Sequence, residues 1–315
     1  MNDGAGRGIT SRVSGSLLRD FGDLASILRL HIIAIAICAT LVFGFVLTGE
    51  LHTAPALLGG LDWLLINLLN RVSDVEEDTA NAIRGTERLV GRHRQVLAGW
   101  VGLLVASVVV GHLVAPELTG WRAAVQLVGV GYSYRIVPAG RALKRFKDLY
   151  FFKNFMSALL FVATCLVYPV VVSGGFAPGY SWASFVALAV FFVPFEITYE
   201  ILYDLRDLEG DRLAKVPTYP VVHGVAVSVR IIDALLIASF VVLVVAVAAG
   251  LLGLREGLMI AAPVVQVAFY KPRLRRGLTT RDCIALTWLG AGLLMTWLVG
   301  THVWVAAGLP ANIWW

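Results

Sequence analysis

Apolar residues in this chain run in long, nearly uncharged blocks, without the alternation of a half-buried strand or the stripe of a soluble amphipathic helix. FVALAVFFVPF and the whole of Leu30–Thr48 carry no formal charge. Blocks of ~17–25 such residues are the length a helix needs to cross ~30 Å of hydrocarbon. Taken this way the pattern predicts nine spans: Leu30–Thr48, Leu57–Asn70, Val96–Leu113, Trp121–Ile136, Tyr150–Val172, Ser181–Tyr203, Ile231–Leu252, Gly257–Tyr270 and Cys283–Ala306. The second, fourth and eighth are short. The expected fold is an all-α polytopic membrane protein, nine transmembrane helices in a single bundle around a central pocket. Residues 1–24 would form a polar tail or surface helix, and 25–315 one membrane domain.

The polar segments between the blocks add an orientation. With the N-terminus inside, the tail and the loops after spans two, four, six and eight hold 24 of the 26 Lys and Arg residues. Only Arg122 and Arg255 fall on the other side. Cytoplasmic loops of membrane proteins are enriched in this way, so the N-terminus is expected in the cytoplasm and the C-terminus outside.

Composition agrees with a lipid setting: 58% of the 315 residues are apolar and 15% charged, where soluble domains sit nearer half and a quarter. The net charge of +5 is then a topology signal, and nucleic acid is not an expected partner. Cys38, Cys165 and Cys283 lie in or beside spans without paired spacing, which argues against disulfide and zinc chemistry. Six scattered histidines show no metal-pair spacing. Tryptophans near span ends fit an interfacial aromatic belt.

Acidic residues break this picture. The sixth span runs into YDLRDLEGDR, and at ~100° per residue Glu196, Glu200, Asp204, Asp207 and Asp211 share an arc of about 80°, with Glu209 pointing away. A charge at mid-bilayer costs ~2.5–3.5 kcal/mol. Five unpaired ones would rival the stability of a domain, so they are expected to line a wet cavity and to meet cations. A second stripe, Asn67, Asn70, Asp74, Glu77, Asp78 and Asn81, closes the second span, with Asn70, Asp74 and Asp78 one turn apart. Oxygen-only ligands stacked on two facing helices suit Mg2+. Two such facing stripes would hold two or more Mg2+ ions. Such ions clamp a diphosphate and neutralise it as it leaves.

The loop after span four, YSYRIVPAGRALKRFKDLYFFKN, supplies cations: Lys144, Arg145 and Lys147 together, with Arg141 and Lys153 nearby. The positive-inside rule alone accounts for most of them. Lys144 and Arg145 are the expected phosphate contacts, with Tyr132 as a hydrogen-bond donor.

At these residues the chain resembles the UbiA superfamily of intramembrane prenyltransferases, whose two aspartate-rich motifs NRVSDVEED and YDLRDLEGDRLAKVPTYPV are similar to. The resemblance extends over nearly the whole chain, and both motifs stand in the right order after spans two and six. It implies that an allylic polyprenyl diphosphate is ionised with Mg2+ in a pocket open to the bilayer, and that a hydrophobic, aromatic or lipid acceptor attacks the cation. Asn70, Asp74 and Asp78 match the first motif and Asp207 and Asp211 the second; with Asp204 and Glu200 as added ligands on the same face, these are the residues the resemblance implies for the metal. On this basis Asp74, Asp78, Asp207 and Asp211 carry catalysis. Arg29 resembles a basic residue near the diphosphate. Arg71 stands where the usual motif has a second Asp, and ANAIRGT replaces its common ending; Arg71 itself is a candidate phosphate contact. Phe151, Phe152, Phe155, Phe191, Phe192, Phe195, Tyr199 and Tyr203 could shield the cation, though each alone fits ordinary helix packing equally well.

Two alternatives share these motifs. A terpene cyclase of the same superfamily would need the same metal site and no acceptor. A transporter would also place acids in a membrane, although its site is expected near the midplane, whereas these acids gather at one face.

Overall fold

The computed structural model describes residues 20–314. It is helical almost throughout. In chain order the principal helices are α1 (Leu30–Thr48), α2 (Thr53–Ser73), α3 (Val75–Ala80), α4 (His93–Val114) and α5 (Thr119–Ser133). A hairpin, β1 (Val137–Ala139) with β2 (Ala142–Lys144), follows. Then come α6 (Phe152–Ser173), α7 (Trp182–Arg206), α8 (Leu208–Leu213), α9 (Tyr219–His223), α10 (Val225–Ala248), α11 (Ala261–Leu274) and α12 (Thr280–Ala306).

Six of these, α1, α4, α6, α7, α10 and α12, are long and apolar enough to cross a membrane. The three short expected spans coincide with α2, α5 and α11, whose buried faces carry Asp62, Arg122 with Gln126, and Gln266. The polar residues of α2 lower its hydropathy, whereas α5 and α11, at 15 and 14 residues, are too short to meet the same standard. Residues 1–19 of the expected tail lie outside the described residues. Residues 20–27 are helical, and Asp23 pairs with Arg84 at 2.6 Å and Arg88 at 2.7 Å. Arg29, in left-handed conformation at φ 49°, turns that segment into α1.

The bundle centres on α1, which packs against α2, α6 and α12, while α7 lies between α6 and α10. Its core holds Phe43, Leu47, Phe161, Leu188 and Phe192. Inside α6 a π-helical turn spans Ala163–Val167, with only Tyr168 between it and Pro169. Proline lacks the N–H of a regular helix and clashes with the carbonyl four residues back; a widened turn absorbs the misfit. It carries Thr164, whose hydroxyl accepts from Trp63 Nε1 at 3.1 Å.

Two corrections concern the acidic stripes, each expected as one continuous helix. α2 stops at Asp74 (φ −112°, ψ 23°) and α7 stops at Asp207 (φ −93°, ψ 9°). Both acids occupy the sparsely populated bridge between the helical and extended regions, where site residues often sit. A six-residue helix follows each break, α3 and α8. These two short helices pack together: Asn81 Oδ1 accepts from the Gly210 amide at 3.0 Å. A Cβ on Gly210 would lie 2.2 Å from the same oxygen, so a larger residue in place of the glycine of E-G-D-R would displace the Asn81 side chain and break this bond.

Candidate active site

The pairing of α3 with α8 brings the two acidic segments to opposite walls of one pocket of about 120 Å3. Asn67, Asn70, Asp74, Glu77, Asp78 and Asn81 line one wall, and Glu196, Glu200, Asp204, Asp207 and Asp211 the other. The breaks at Asp74 and Asp207 thus do not scatter the acids. Glu209 points away with its side chain 82% exposed, meeting Arg212 at 3.5 Å. Glu209→Ala is accordingly expected to change turnover by less than about twofold, as solvated surface pairs contribute little; a loss as deep as that of Asp207→Ala would show the geometry to be wrong.

The cations differ from those expected. Gly140, at φ 65°, turns the β1–β2 hairpin, and β2 carries Lys144 to the exposed side, off the pocket wall. Arg145 is occupied by Asp148 at 2.7 Å and reaches Asp74 only at 3.4 Å. Lys147, 2% exposed, enters instead, at 2.6 Å from Asp74 and 2.8 Å from Glu77. Lys153 does the same from the opposite side, 2.7 Å from Asp204 and 3.6 Å from Asp211. Phe151, at φ 71°, precedes α6, from whose first turns Lys153 and Asn154 reach Asp204 and Ser157 reaches Glu200. That polar spacing at the head of an apolar span was a readable signal that loop composition hid. Arg206, also on the pocket wall, bonds Asp207 and lies 4.7 Å over the Tyr203 ring. Lys147→Ala is expected to lower turnover about tenfold or more, the scale of a charged hydrogen bond, while Lys144→Ala leaves it within about twofold. Diphosphate release by the two variants side by side checks this.

Arg71 does not face the pocket; it is buried against Asp78 at 2.6 Å. Arg29 lines the pocket and donates to Asn67 Oδ1 at 3.4 Å, and Tyr132 lines it as well. Asp204 has one oxygen on Lys153 and the other on Asn154 at 2.8 Å, so it anchors these side chains. Glu200 accepts from Ser157 at 2.7 Å.

No three acidic, cysteine or histidine side chains among the described residues converge as a ready-made metal centre. The donor chemistry nonetheless fits a hard cation. Asn70 Oδ1 and Asp211 Oδ2 are buried without a hydrogen-bond partner, which is costly unless something else satisfies them. The Asp211 carboxyl is pushed up to about 7, chiefly by burial, with Lys153 pulling it down and Asp204, Glu77 and Asp207 adding to the rise. A divalent ion among these oxygens would relieve the burial and the repulsion together.

A second, larger cavity of about 530 Å3 adjoins the first and is almost wholly apolar. Phe191, Phe192, Phe195 and Tyr199 line it, Tyr203 lines the acidic pocket, and Phe151 and Phe152 are exposed. Ile35, Phe161, Glu196 and Tyr199 belong to both walls. The whole is an acidic, cation-studded mouth opening on an aromatic chamber within apolar helices.

These features define an integral membrane protein with a paired acidic site. A family model of the UbiA prenyltransferase family matches residues 35–283, and the chain belongs to that family. Solved structures share its fold at low identity. A UbiA homologue from Archaeoglobus fulgidus, bound to GPP and Mg2+, superposes with a TM-score of 0.66 at 15% identity, covering 87% of this chain and 97% of that one. The apo form of a UbiA homologue from Aeropyrum pernix K1 gives 0.57 at 13%, covering 87% and 98%. A digeranylgeranylglyceryl phosphate synthase structure gives 0.52 at 15%, covering 88% and 95%. Comparison with curated proteins finds no match.

Proposed function

We propose that this protein is a Mg2+-dependent intramembrane prenyltransferase, moving a prenyl group from an allylic polyprenyl diphosphate to a hydrophobic acceptor with release of diphosphate. The observation that carries the reading is the pair of unsatisfied oxygens, Asn70 Oδ1 and Asp211 Oδ2, in a pocket walled by acids and entered by Lys147 and Lys153. Family membership and the A. fulgidus homologue's binding of GPP and Mg2+ support the same donor.

Asn70, Asp74, Asp78, Asp207 and Asp211 would hold the metal, with Glu200 beside them. When bound, Mg2+ supplies positive charge against the diphosphate as the allylic C–O bond breaks. The remaining work falls to the chain. Lys147, Lys153 and Arg206 neutralise Asp74, Asp204 and Asp207, and would turn to the phosphate oxygens of a bound diphosphate. Arg29 stands at the rim. The aromatic chamber takes the prenyl tail, and its walls keep water from the forming cation. α2, α5 and α11 complete nine crossings, with the acidic mouth and the N-terminus facing the cytoplasm, which the distribution of Lys and Arg supports.

The test is diphosphate release by purified protein with geranyl, farnesyl and geranylgeranyl diphosphate, with and without Mg2+ and a panel of aromatic and lipid acceptors. Mg2+-dependent release that requires an acceptor is the expected result. Release without acceptor, giving a cyclic product, would assign the cyclase reaction. Absence of release in every combination would count against the transferase.

A further inference from the structure

Residues 20–27 form a helix ahead of α1. Eight residues are too few to hold a helix in water by themselves, and only Asp23 and Ile27 among them are buried. Both are seated on the loop that leaves α3. Asp23 Oδ1 accepts from Arg84 Nε at 2.6 Å, and its Oδ2 accepts from Arg88 Nε at 3.0 Å and Nη2 at 2.7 Å. Ile27 faces Gly85, whose φ of 87° suits glycine: a Cβ there would lie 3.0 Å from Ile27 Cγ1 and from the Asp23 carbonyl oxygen. The loop is tied in turn to the first motif, since the Ile83 amide donates to the Asp78 carbonyl at 2.9 Å. Arg84, Gly85 and Arg88 all belong to ANAIRGTER, which begins with the stretch replacing the usual motif ending.

The helix leads into Arg29, held at φ 49° and ψ 49°. A side-chain-bearing residue is strained in that left-handed region, and stays there only where its surroundings over-determine it. On one side α1 fixes the turn; on the other stands the helix anchored through Asp23. The turn brings the guanidinium to the pocket wall, where Nη1 donates to Asn67 Oδ1 at 3.4 Å. Lys147, Lys153 and Arg206 on the same walls are each held by a carboxylate. Arg29 meets only the Asn67 amide oxygen among the described residues. Its charge is therefore free for an anion in the pocket.

We propose that Asp23 is a positioning residue for the diphosphate: its grip on the loop after α3 holds the left-handed turn that presents Arg29 to the mouth. The proposal rests on the prenyl-transfer reading in taking that anion to be the donor's diphosphate. A solvated ion pair would contribute little. Asp23, however, is 6% exposed, and both of its oxygens are engaged by two guanidinium groups, the arrangement in which such bonds are strong. Without it the helix keeps one buried side chain, Ile27. The strained turn then relaxes, and the Arg29 guanidinium leaves the wall.

The test is a double-mutant cycle on the full chain in nanodiscs, read by calorimetric binding of inorganic diphosphate and of farnesyl thiodiphosphate, each with Mg2+. Arg29→Ala is expected to weaken inorganic diphosphate about tenfold, the scale of one charged hydrogen bond. Asp23→Ala should weaken it about fivefold, and the double variant should bind no more weakly than Arg29→Ala, because Asp23 acts through Arg29. Asp23→Asn keeps the volume of the side chain and loses its charge; it should weaken binding about threefold and be silent in the Arg29→Ala background. That variant carries the cycle if Asp23→Ala does not fold. A merely structural role would make the losses multiply, to about fiftyfold in the alanine double variant, and would overturn the proposal. Unchanged affinity in both Asp23 variants would overturn it as well, as would a wild type that binds no diphosphate. Equal wild-type affinity for the inorganic and the farnesyl probe would count against prenyl transfer, since a seated prenyl tail adds apolar burial; the cycle with inorganic diphosphate still decides Asp23.

Discussion

Asp211→Asn is expected to lower Mg2+-dependent diphosphate release on the order of a hundredfold or more, the scale of removing one preorganised stabiliser of a developing charge. Asp211 brings two features together. Its Oδ2 is buried with no hydrogen bond, and Lys153 remains 3.6 Å away. It also lies on α8, whose place against α3 is fixed by the Gly210–Asn81 contact. Both walls of the pocket therefore position this one oxygen. Asparagine preserves the volume and removes the charge. It also removes a carboxyl that burial disfavours, so thermal unfolding should occur at the same or a higher temperature. That combination, lost turnover with retained stability, separates a ligand from a structural residue. Near-normal release by Asp211→Asn, together with Asp78→Ala, would sink the assignment of these acids to the metal.

The second large effect is on stability and lies away from the acidic mouth. Asp62, fully buried in α2, receives two bonds from Arg122, at 3.0 and 2.8 Å, one from Gln126 at 3.0 Å and one from Tyr168 at 3.0 Å. Arg122 also donates to the Ser107 carbonyl at 2.8 Å. Four helices, α2, α4, α5 and α6, are tied by this network. Gly111 lets the guanidinium pass: a Cβ there would lie 1.8 Å from Arg122 Nη1. Asp62→Ala leaves Arg122 buried without its counter-charge, and losses of about 3–5 kcal/mol are typical of such a broken pair. The measurement is reversible unfolding in detergent. Replacing both partners, Asp62→Leu with Arg122→Met, should restore most of the loss, because a packed apolar pair avoids the desolvation of two charges. A single-variant cost below about 1 kcal/mol would mean the pair behaves as a solvated surface bridge.

Much of the site was legible without coordinates, and the reasons differ by residue. Asn70, Asp74, Asp78, Asp207 and Asp211 stood out because acids in apolar sequence are expensive, and their spacing follows from helix geometry alone. The breaks at Asp74 and Asp207 were not legible. A helix tolerates such residues in isolation, and only the docking of α3 on α8 rewards leaving the helical path. Which loop cations line the pocket, Lys147 and Lys153 and not Lys144 or Arg145, was not legible for a related reason. Loop cations are alike in composition, whereas the fold leaves Lys144 on an exposed strand and brings Lys147 and Lys153 inward from the turn and helix that follow. Arg122 read as an exception to the charge distribution; its meaning came from Asp62, 60 residues away.

What the sequence by itself determined is the membrane setting, the family and the two aspartate-rich motifs. Each depends on local composition or on spacing within a turn or two of helix, and both survive in a linear string. The tertiary structure decided which cations reach the acids, where the helices break, how Asp62 is neutralised and what anchors residues 20–27. Those outcomes depend on which helices become neighbours. A buried charge is stabilised or stranded by side chains from distant parts of the chain, and one-dimensional periodicity carries no record of them.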